Sequence, residues 1–143
     1  MTVLVLDASV AAKFVLPFQQ EPLVAQAARL LGEYARGSIN FMVPDLFWAE
    51  LGNVLWNAVR RKRITTEAAE YALAFVQARN FPTLPSAPLV GTALTLAIRY
   101  DRTVYDCIYI ALARELDVQF LTADERLVNS LAAQQPVRWL GAL

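Results

Sequence analysis

The stretch "VLVLDASV" (residues 3–10) decides how the rest of this chain is read: four apolar residues run straight into Asp7, and only Ala8 and Ser9 separate that acid from the next apolar stretch. A short, uninterrupted run rich in Val and Leu is the pattern of a strand buried on both faces. Here the strand delivers a carboxylate to its own far end. Taken alone, Asp7 has an ordinary explanation as the cap of a following helix. The alternative, a carboxylate presented at the rim of a sheet, depends on whether other acids arrive in equally unusual places.

Outward from that strand, the apolar periodicity alternates between strand and helix. Residues 2–6 read as the first strand and 8–15 as a short helix stopped near Pro17, and helical spacing recurs over 22–34 until Gly37 ends it. "INFMVP" (39–44) is a second strand, Asp45 the expected cap of a helix reaching Arg61, and Thr65 or Thr66 starts a helix ending near Asn80. Three prolines in "NFPTLPSAP" (80–88) make it a loop or at best an edge strand. Helices are predicted over 89–100 and 104–116, then the strand "VQFL" (118–121), the helix "DERLVNSL" (124–131) and a short strand "VRWL" (137–140). No repeat, low-complexity tract or linker interrupts the pattern, so residues 1–143 are expected to form one domain. Strands alternating with helices predict an α/β fold around a mostly parallel central sheet.

Composition narrows the chemistry. Hydrophobic residues make up 57% of the chain and charged residues 18%, against averages of roughly 45–50% and 25%. The surplus fits either a large core or a buried interface with a second chain. No apolar run approaches the roughly 18 residues that cross a bilayer. The N-terminus has neither the basic region nor the cleavage site of a secretion signal. The single cysteine, Cys107, cannot form an internal disulfide and fits a reducing cytoplasm. Histidine is absent altogether, which excludes a Ser-His-Asp triad, a Cys-His pair and a His-based ribonuclease, and argues against a Cys/His zinc site. Hydrolytic chemistry has to come from carboxylates, hydroxyls, amines or a metal. With 13 basic and 13 acidic residues the formal net charge is zero, so charge alone does not announce a nucleic-acid partner.

The acids can now be placed. Asp7 follows one predicted strand and Asp124 follows "VQFL" through Thr122 and Ala123. In open α/β sheets ligands gather outside the carboxyl ends of strands, so both acids are expected on one rim. Glu50 is stranger: in "PDLFWAELGNVLW" (44–56) it is the only charge between Asp45 and Arg60, with no Lys or Arg one turn away. A lone carboxylate buried there costs several kcal/mol unless it finds a partner or its pKa rises. Asp106, in "TVYDCIYIALA" (103–113), is an acid in the first turn of an otherwise apolar helix. Bland readings exist: "TVYD" and "TADE" match capping boxes, Asp124 suits a helix dipole, and Glu50 has a distant arginine as a conceivable partner. One cause covers all four. Three Asp and one Glu gathered together repel unless a cation neutralises them, and hard carboxylate oxygens suit Mg²⁺ or Mn²⁺.

These same blocks, "VLDASV", "PDLFWAELGNVLWNAVRRKRIT", "TVYDCIYIALA" and "FLTADERL", resemble in order the successive blocks of PIN-domain nucleases, and especially the VapC-like toxins of type II (VapBC) toxin–antitoxin pairs. The resemblance runs over nearly the whole chain. It implies a three-layer α/β/α sandwich with a parallel sheet and a Mg²⁺- or Mn²⁺-dependent endoribonuclease in the cytoplasm. It also implies a homodimer neutralised by a cognate antitoxin protein. The family's acids fall on Asp7, Glu50, Asp106 and Asp124 as catalytic and metal-binding residues, and its small hydroxyl residues on Ser9 and Thr122, which hold the carboxylates in place. A further acid that some relatives carry one helical turn beyond the third is here Ile110, which puts a tightly held second metal in doubt. With water as the attacking group, the resemblance further implies products with a 3′-hydroxyl and a 5′-phosphate. A metal- and RNA-binding module with little or no turnover is the alternative.

Substrate contact is read more loosely. "RRKR", Arg60, Arg61, Lys62 and Arg63, is the densest basic run and suits an RNA backbone, or equally a solvated helix end. Trp48 and Trp56 suit base stacking or, at helical spacing, the core or an interface, and Tyr109 fits the core. Two other enzyme classes fail on residues. A haloacid-dehalogenase-type phosphatase needs an acid where Ser9 stands, and a phospho-receiver needs paired acids and a late lysine, whereas Lys13 and Lys62 both lie in the first half.

Overall fold

The computed structural model describes residues 1–17 and 21–143. Its elements in chain order are β1 (Thr2–Leu6), α1 (Ala8–Lys13), α2 (Val24–Ala35), β2 (Ile39–Pro44), α3 (Leu46–Arg60) and α4 (Thr66–Gln77). There follow β3 (Thr83–Leu84), α5 (Val90–Tyr100), α6 (Val104–Leu116), β4 (Gln119–Thr122), α7 (Glu125–Leu131) and β5 (Val137–Trp139). The strands form one sheet in the order β3-β2-β1-β4-β5, every neighbouring pair parallel.

That order follows from the connections. From β1 the chain moves outward through β2 to the edge strand β3, then returns across the sheet through α5 and α6 to β4 on the other side of β1. Right-handed crossovers running in opposite directions put their helices on opposite faces. Accordingly α1 packs with α2 and α3, and α3 with α4, while α5 packs with α6, which lies over β1, β2 and β4. The result is the three-layer α/β/α sandwich. The strand order reverses between β1 and β4, and ligand crevices in such sheets open at that reversal.

The central strands carry no alternation because both faces are covered: Val5, Leu6, Phe41, Val43, Phe120 and Leu121 are all fully buried. Each large side chain so buried contributes about 1.5–3 kcal/mol of transfer free energy. Helix α3 buries Phe47, Leu51, Leu55 and Ala58, one stripe at helical spacing. Cys107 is a free thiol buried within α6.

Departures from the sequence expectation have local causes. Helix α2 begins at Val24, because Leu23 sits before it in the left-handed region at φ 62°. The proline-rich loop supplies only the two-residue edge strand β3, and Pro82 accepts a hydrogen bond from Val43 N–H at 3.0 Å. Asp45 occupies the position before α3 without capping it; its carboxylate instead accepts from the Ser86 backbone N–H at 3.2 Å and from the Ser86 hydroxyl. Thr65 does cap α4, accepting from Ala68 N–H at 3.1 Å. Among the described residues no helix is long and apolar enough to cross a membrane.

Candidate active site

Asp7 leaves the end of β1, and its backbone N–H still pairs across to Leu121 O of β4 at 3.0 Å. It stands at the cap position of α1, yet its side chain makes no capping hydrogen bond. The carboxylate turns instead toward the neighbouring strand. Its Oδ2 accepts from Ser9 Oγ at 2.8 Å and from Thr122 Oγ1 at 2.7 Å. Each hydroxyl is held in turn, Ser9 Oγ by Ala123 N–H at 3.2 Å and Thr122 Oγ1 by Asp124 N–H at 3.1 Å. Two consecutive amides of the β4–α7 connection thus fix two hydroxyls, and both deliver their protons to one oxygen of Asp7. Oδ1 receives neither bond.

The other three acids arrive from separate elements. Glu50 projects half-buried from the middle of α3, Asp106 lies in the first turn of α6, and Asp124 caps α7 by accepting from Leu127 N–H at 3.2 Å. Their charges feel one another. Burial pushes the Asp7 carboxyl up, the Thr122 and Ser9 hydrogen bonds oppose this, and the charge of Asp106 adds to the rise. Burial, then the charges of Asp7 and Asp106, raise Glu50 to about 7. Asp106 is raised by burial and by the charge of Asp124, against the pull of Thr103 and Arg102. Desolvation and like charges both disfavour the ionised form, which is the electrostatic signature of acids sharing a site.

Among the described residues no Lys or Arg forms an ion pair with any of them. The ion pairs there are Lys13–Glu21, Arg63–Glu21 and Arg36–Glu33, so the distant arginine conceivable for Glu50 does not materialise. The capping-box reading of "TADE" is corrected as well: Asp124, not Thr122, caps α7, and Thr122 ends β4 with its hydroxyl spent on Asp7. "TVYD" does cap α6, with Thr103 accepting from Asp106 N–H at 3.1 Å, and the Thr103 hydroxyl also draws on the Asp106 carboxylate, opposing the rise in its pKa.

Two clefts open on these acids. One, of about 500 Å³, is walled by Glu50, Asn53, Val54, Tyr105 and Asp106. The other, of about 300 Å³, includes Ser9, Lys13, Glu21, Val54, Arg61 and Asp124 in its wall. An all-oxygen donor set, with Asp7, Glu50 and Asp106 raised in pKa and no ion-paired base among the described residues, fits a hard divalent ion by its chemistry. As the side chains stand, no group of three acids among the described residues is gathered tightly enough to hold one. The mutual coupling and that spacing describe different ranges: the charges act on one another across the site, while a coordination shell demands direct contact of each carboxylate with the ion.

The family model described as PIN domain matches residues 4–130. The chain belongs to the PIN-domain family. Among curated PIN relatives, it is 38% identical to Ribonuclease VapC1 of Mycobacterium tuberculosis over 59% of this chain, a match that spans 62% of that protein's length. It is 30% identical to Ribonuclease VapC3 of Pyrobaculum aerophilum over 91% of this chain and 95% of that one. Among solved structures, the crystal structure of PAE2754 from Pyrobaculum aerophilum superposes with a TM-score of 0.70 at 23% identity, covering 99% of this chain and 85% of that one.

In this PIN domain the basic run does not act as a block. Helix α3 ends in a turn where Lys62 takes a left-handed φ of 60°, with Arg63 N–H bonded back to Ala58 O at 2.9 Å, so the chain wraps over the helix end and spreads the four cations. Arg60 lies over the Trp56 ring at 5.0 Å and bonds Asn57 Oδ1 at 3.0 Å. Arg63 pairs with Glu21 at 2.6 Å, and Arg61 lines the smaller cleft. Trp48 packs against Phe47 and Phe81, while Trp56 is exposed. Tyr109 is a core residue stacked on Phe120, and its hydroxyl also reaches toward Glu50 Oε2, at a long 3.5 Å. Sequence reasoning missed the buried Lys13–Glu21–Arg63 network. The signal available for it was Lys13 inside the apolar run "ASVAAKFVL" (8–16).

Proposed function

We propose that this chain is a metal-dependent endoribonuclease, the toxin of a type II toxin–antitoxin pair, with residues 1–143 forming one nuclease domain. What carries the reading is the electrostatic coupling of Glu50, Asp7, Asp106 and Asp124 at one sheet rim with no Lys or Arg paired to any of them among the described ion pairs. The 30% identity to a curated VapC ribonuclease over most of both chains supports it.

In this reading Asp7 and Asp106 are direct ligands of Mg²⁺ or Mn²⁺, Glu50 joins them or orients the attacking water, and Asp124 completes the set. The ion, when bound, makes water nucleophilic and offsets the charge that gathers on the phosphodiester. The chain's own part is positioning. Ser9 and Thr122 oppose the rise that burial imposes on the Asp7 pKa, fix the carboxylate in direction, and leave Oδ1 clear of their side-chain bonds. RNA is the substrate, an antitoxin protein and a second copy of the chain are the partners, and the cytoplasm is the setting.

Incubation of Mn²⁺-loaded protein with structured RNA, beside Asp7→Asn, tests the reading. Cleavage by the wild type to 5′-phosphate ends, absent in the variant, is the expected result. Equal RNA retention with no cleavage by either protein would instead leave a binding module without turnover.

A further inference from the structure

The two clefts are lobes of one groove. Val54 stands in the wall of both, and Glu50, Val54, Asn57 and Arg61 succeed one another at helical spacing on the same face of α3. Glu50 and Asp106 line the larger lobe, Ser9 and Asp124 the smaller one, and Arg61 stands in the smaller lobe's wall beyond the last turn of α3. Between Glu50 and Arg61 lies about 16 Å of helical rise. A group bound at Arg61 is therefore not the one reacting beside Glu50 and Asp106.

The cations of the smaller lobe are unequal. Glu21 receives Lys13 Nζ at 3.1 Å and an Arg63 guanidinium nitrogen at 2.6 Å, so both cations are held against one carboxylate in the wall and share its single negative charge. Arg61 is exposed, and no hydrogen bond or ion pair among the described residues engages it. A polyanion approaching four carboxylates is repelled unless a positive group takes up part of its charge nearby. An unpaired guanidinium does this best for phosphate, because its planar fork binds two oxygens at once.

We propose, resting on the ribonuclease reading, that a strand of RNA lies along the α3 groove with Arg61 seating a backbone phosphate some nucleotides away from the scissile one. Glu21 keeps Lys13 and Arg63 in the wall, which leaves Arg61 as the binding cation of that lobe. Arg60, engaged with Trp56 and Asn57, takes no part.

RNA binding by Asp7→Asn protein in EDTA, measured across a KCl series, reads this without turnover. Adding Arg61→Gln should weaken binding about tenfold, a loss expected to be uniform across RNA sequences, and flatten the slope of log affinity against log salt by about 0.7. Arg61→Lys, with the charge but not the fork, should keep the slope and recover part of the affinity. Arg114→Ala, an exposed cation in the last turn of α6, is the control for bulk charge and should change neither. Unchanged affinity and slope in Arg61→Gln, or an equal loss in Arg114→Ala, overturns the proposal. Cleavage by the Arg61 variants with wild-type Asp7 separates the two claims. Turnover with unaltered KM in Arg61→Gln sinks the phosphate seat and spares the nuclease. A wild type that binds through Arg61 but never cuts sinks the nuclease and keeps the seat.

Discussion

Thr122 Oγ1 lies 2.7 Å from Asp7 Oδ2, joining the ends of two adjacent parallel strands that are far apart in sequence. The bond makes a site out of a sheet. β1 and β4 flank the reversal in strand order, and without the hydroxyl their termini would only be neighbours. Thr122→Val keeps the shape and removes the donor. A hydrogen bond to a charged group contributes about 1.5–3 kcal/mol, so the variant should lose stability of that order where Asp7 is ionised. Since the Asp7 pKa is already raised and loses one opposing bond, the deficit should grow as pH rises through its titration and shrink as pH falls through it. Equal melting temperatures for both proteins across the whole pH series would show that the bond holds nothing.

Glu50 carries a cost of its own. Burial first, then the charges of Asp7 and Asp106, raise it from 4.5 to about 7. A folded-state pKa above the unfolded one means the native protein holds that proton more tightly. Stability is therefore lost as pH rises from about 4.5 through 7. Glu50→Gln removes the liability. In EDTA it should be more stable than wild type by about 1–2 kcal/mol at pH 8, the nominal shift being discounted for a side chain half in solvent, and indistinguishable from it near pH 4.5. The same variant should lose RNA cleavage by at least about a hundredfold, the pattern of a site that trades stability for function. Thermal melts at the two pH values decide the first claim; a destabilised variant at pH 8 would contradict it.

How much of this was legible follows from what each residue answers to. The strands were, because burial on both faces erases the alternation that makes shorter patterns ambiguous, as at Val5 and Leu6. Glu50 was, because a lone charge amid apolar helix has few cheap explanations. Helix ends were less so. Leu23 in a left-handed conformation and Asp45 bonded to Ser86 instead of its own helix depend on tertiary contacts that no local pattern encodes. The "RRKR" run is the clearest case. In sequence its four cations are equivalent, and only the wrap of the α3 terminus parts Arg61 from Arg63. Thr122 could be named from resemblance, but its bond to Asp7 rather than to α7 is a property of strand order.

Divalent metal should stabilise the protein through the same acids. A ligand that binds only the native state adds RT ln(1 + [L]/Kd), about 2.7 kcal/mol at a hundredfold excess over Kd. Millimolar Mn²⁺ or Mg²⁺ should therefore raise the melting temperature of wild type and leave Asp7→Asn unmoved, with a larger rise at pH 8 than at pH 5, where protons compete for raised carboxylates. Calorimetric scans with and without EDTA check this. An identical rise in Asp7→Asn would place the ion elsewhere on the molecule.

Glu21 accepts hydrogen bonds from two cations. Lys13 and Glu21 side chains are only 8% and 10% exposed, and Arg63 joins them from beyond the α3 terminus. Burial pushes Glu21 up, but the bonds from Arg63 and Lys13 outweigh it and hold its pKa below the ordinary value. A depressed carboxylate contributes stability above its unfolded pKa and loses it as pH falls through the folded one. Glu21→Gln strands the buried Lys13 without a counter-charge, a loss of about 3–5 kcal/mol for a broken buried pair. Lys13→Met in the same chain should return much of it, since apolar replacement of both buried partners is close to neutral while removal of one is not. A double variant no more stable than Glu21→Gln alone would mean that Arg63, not Lys13, is the partner that matters, and urea unfolding of the three proteins at pH 7 distinguishes the cases.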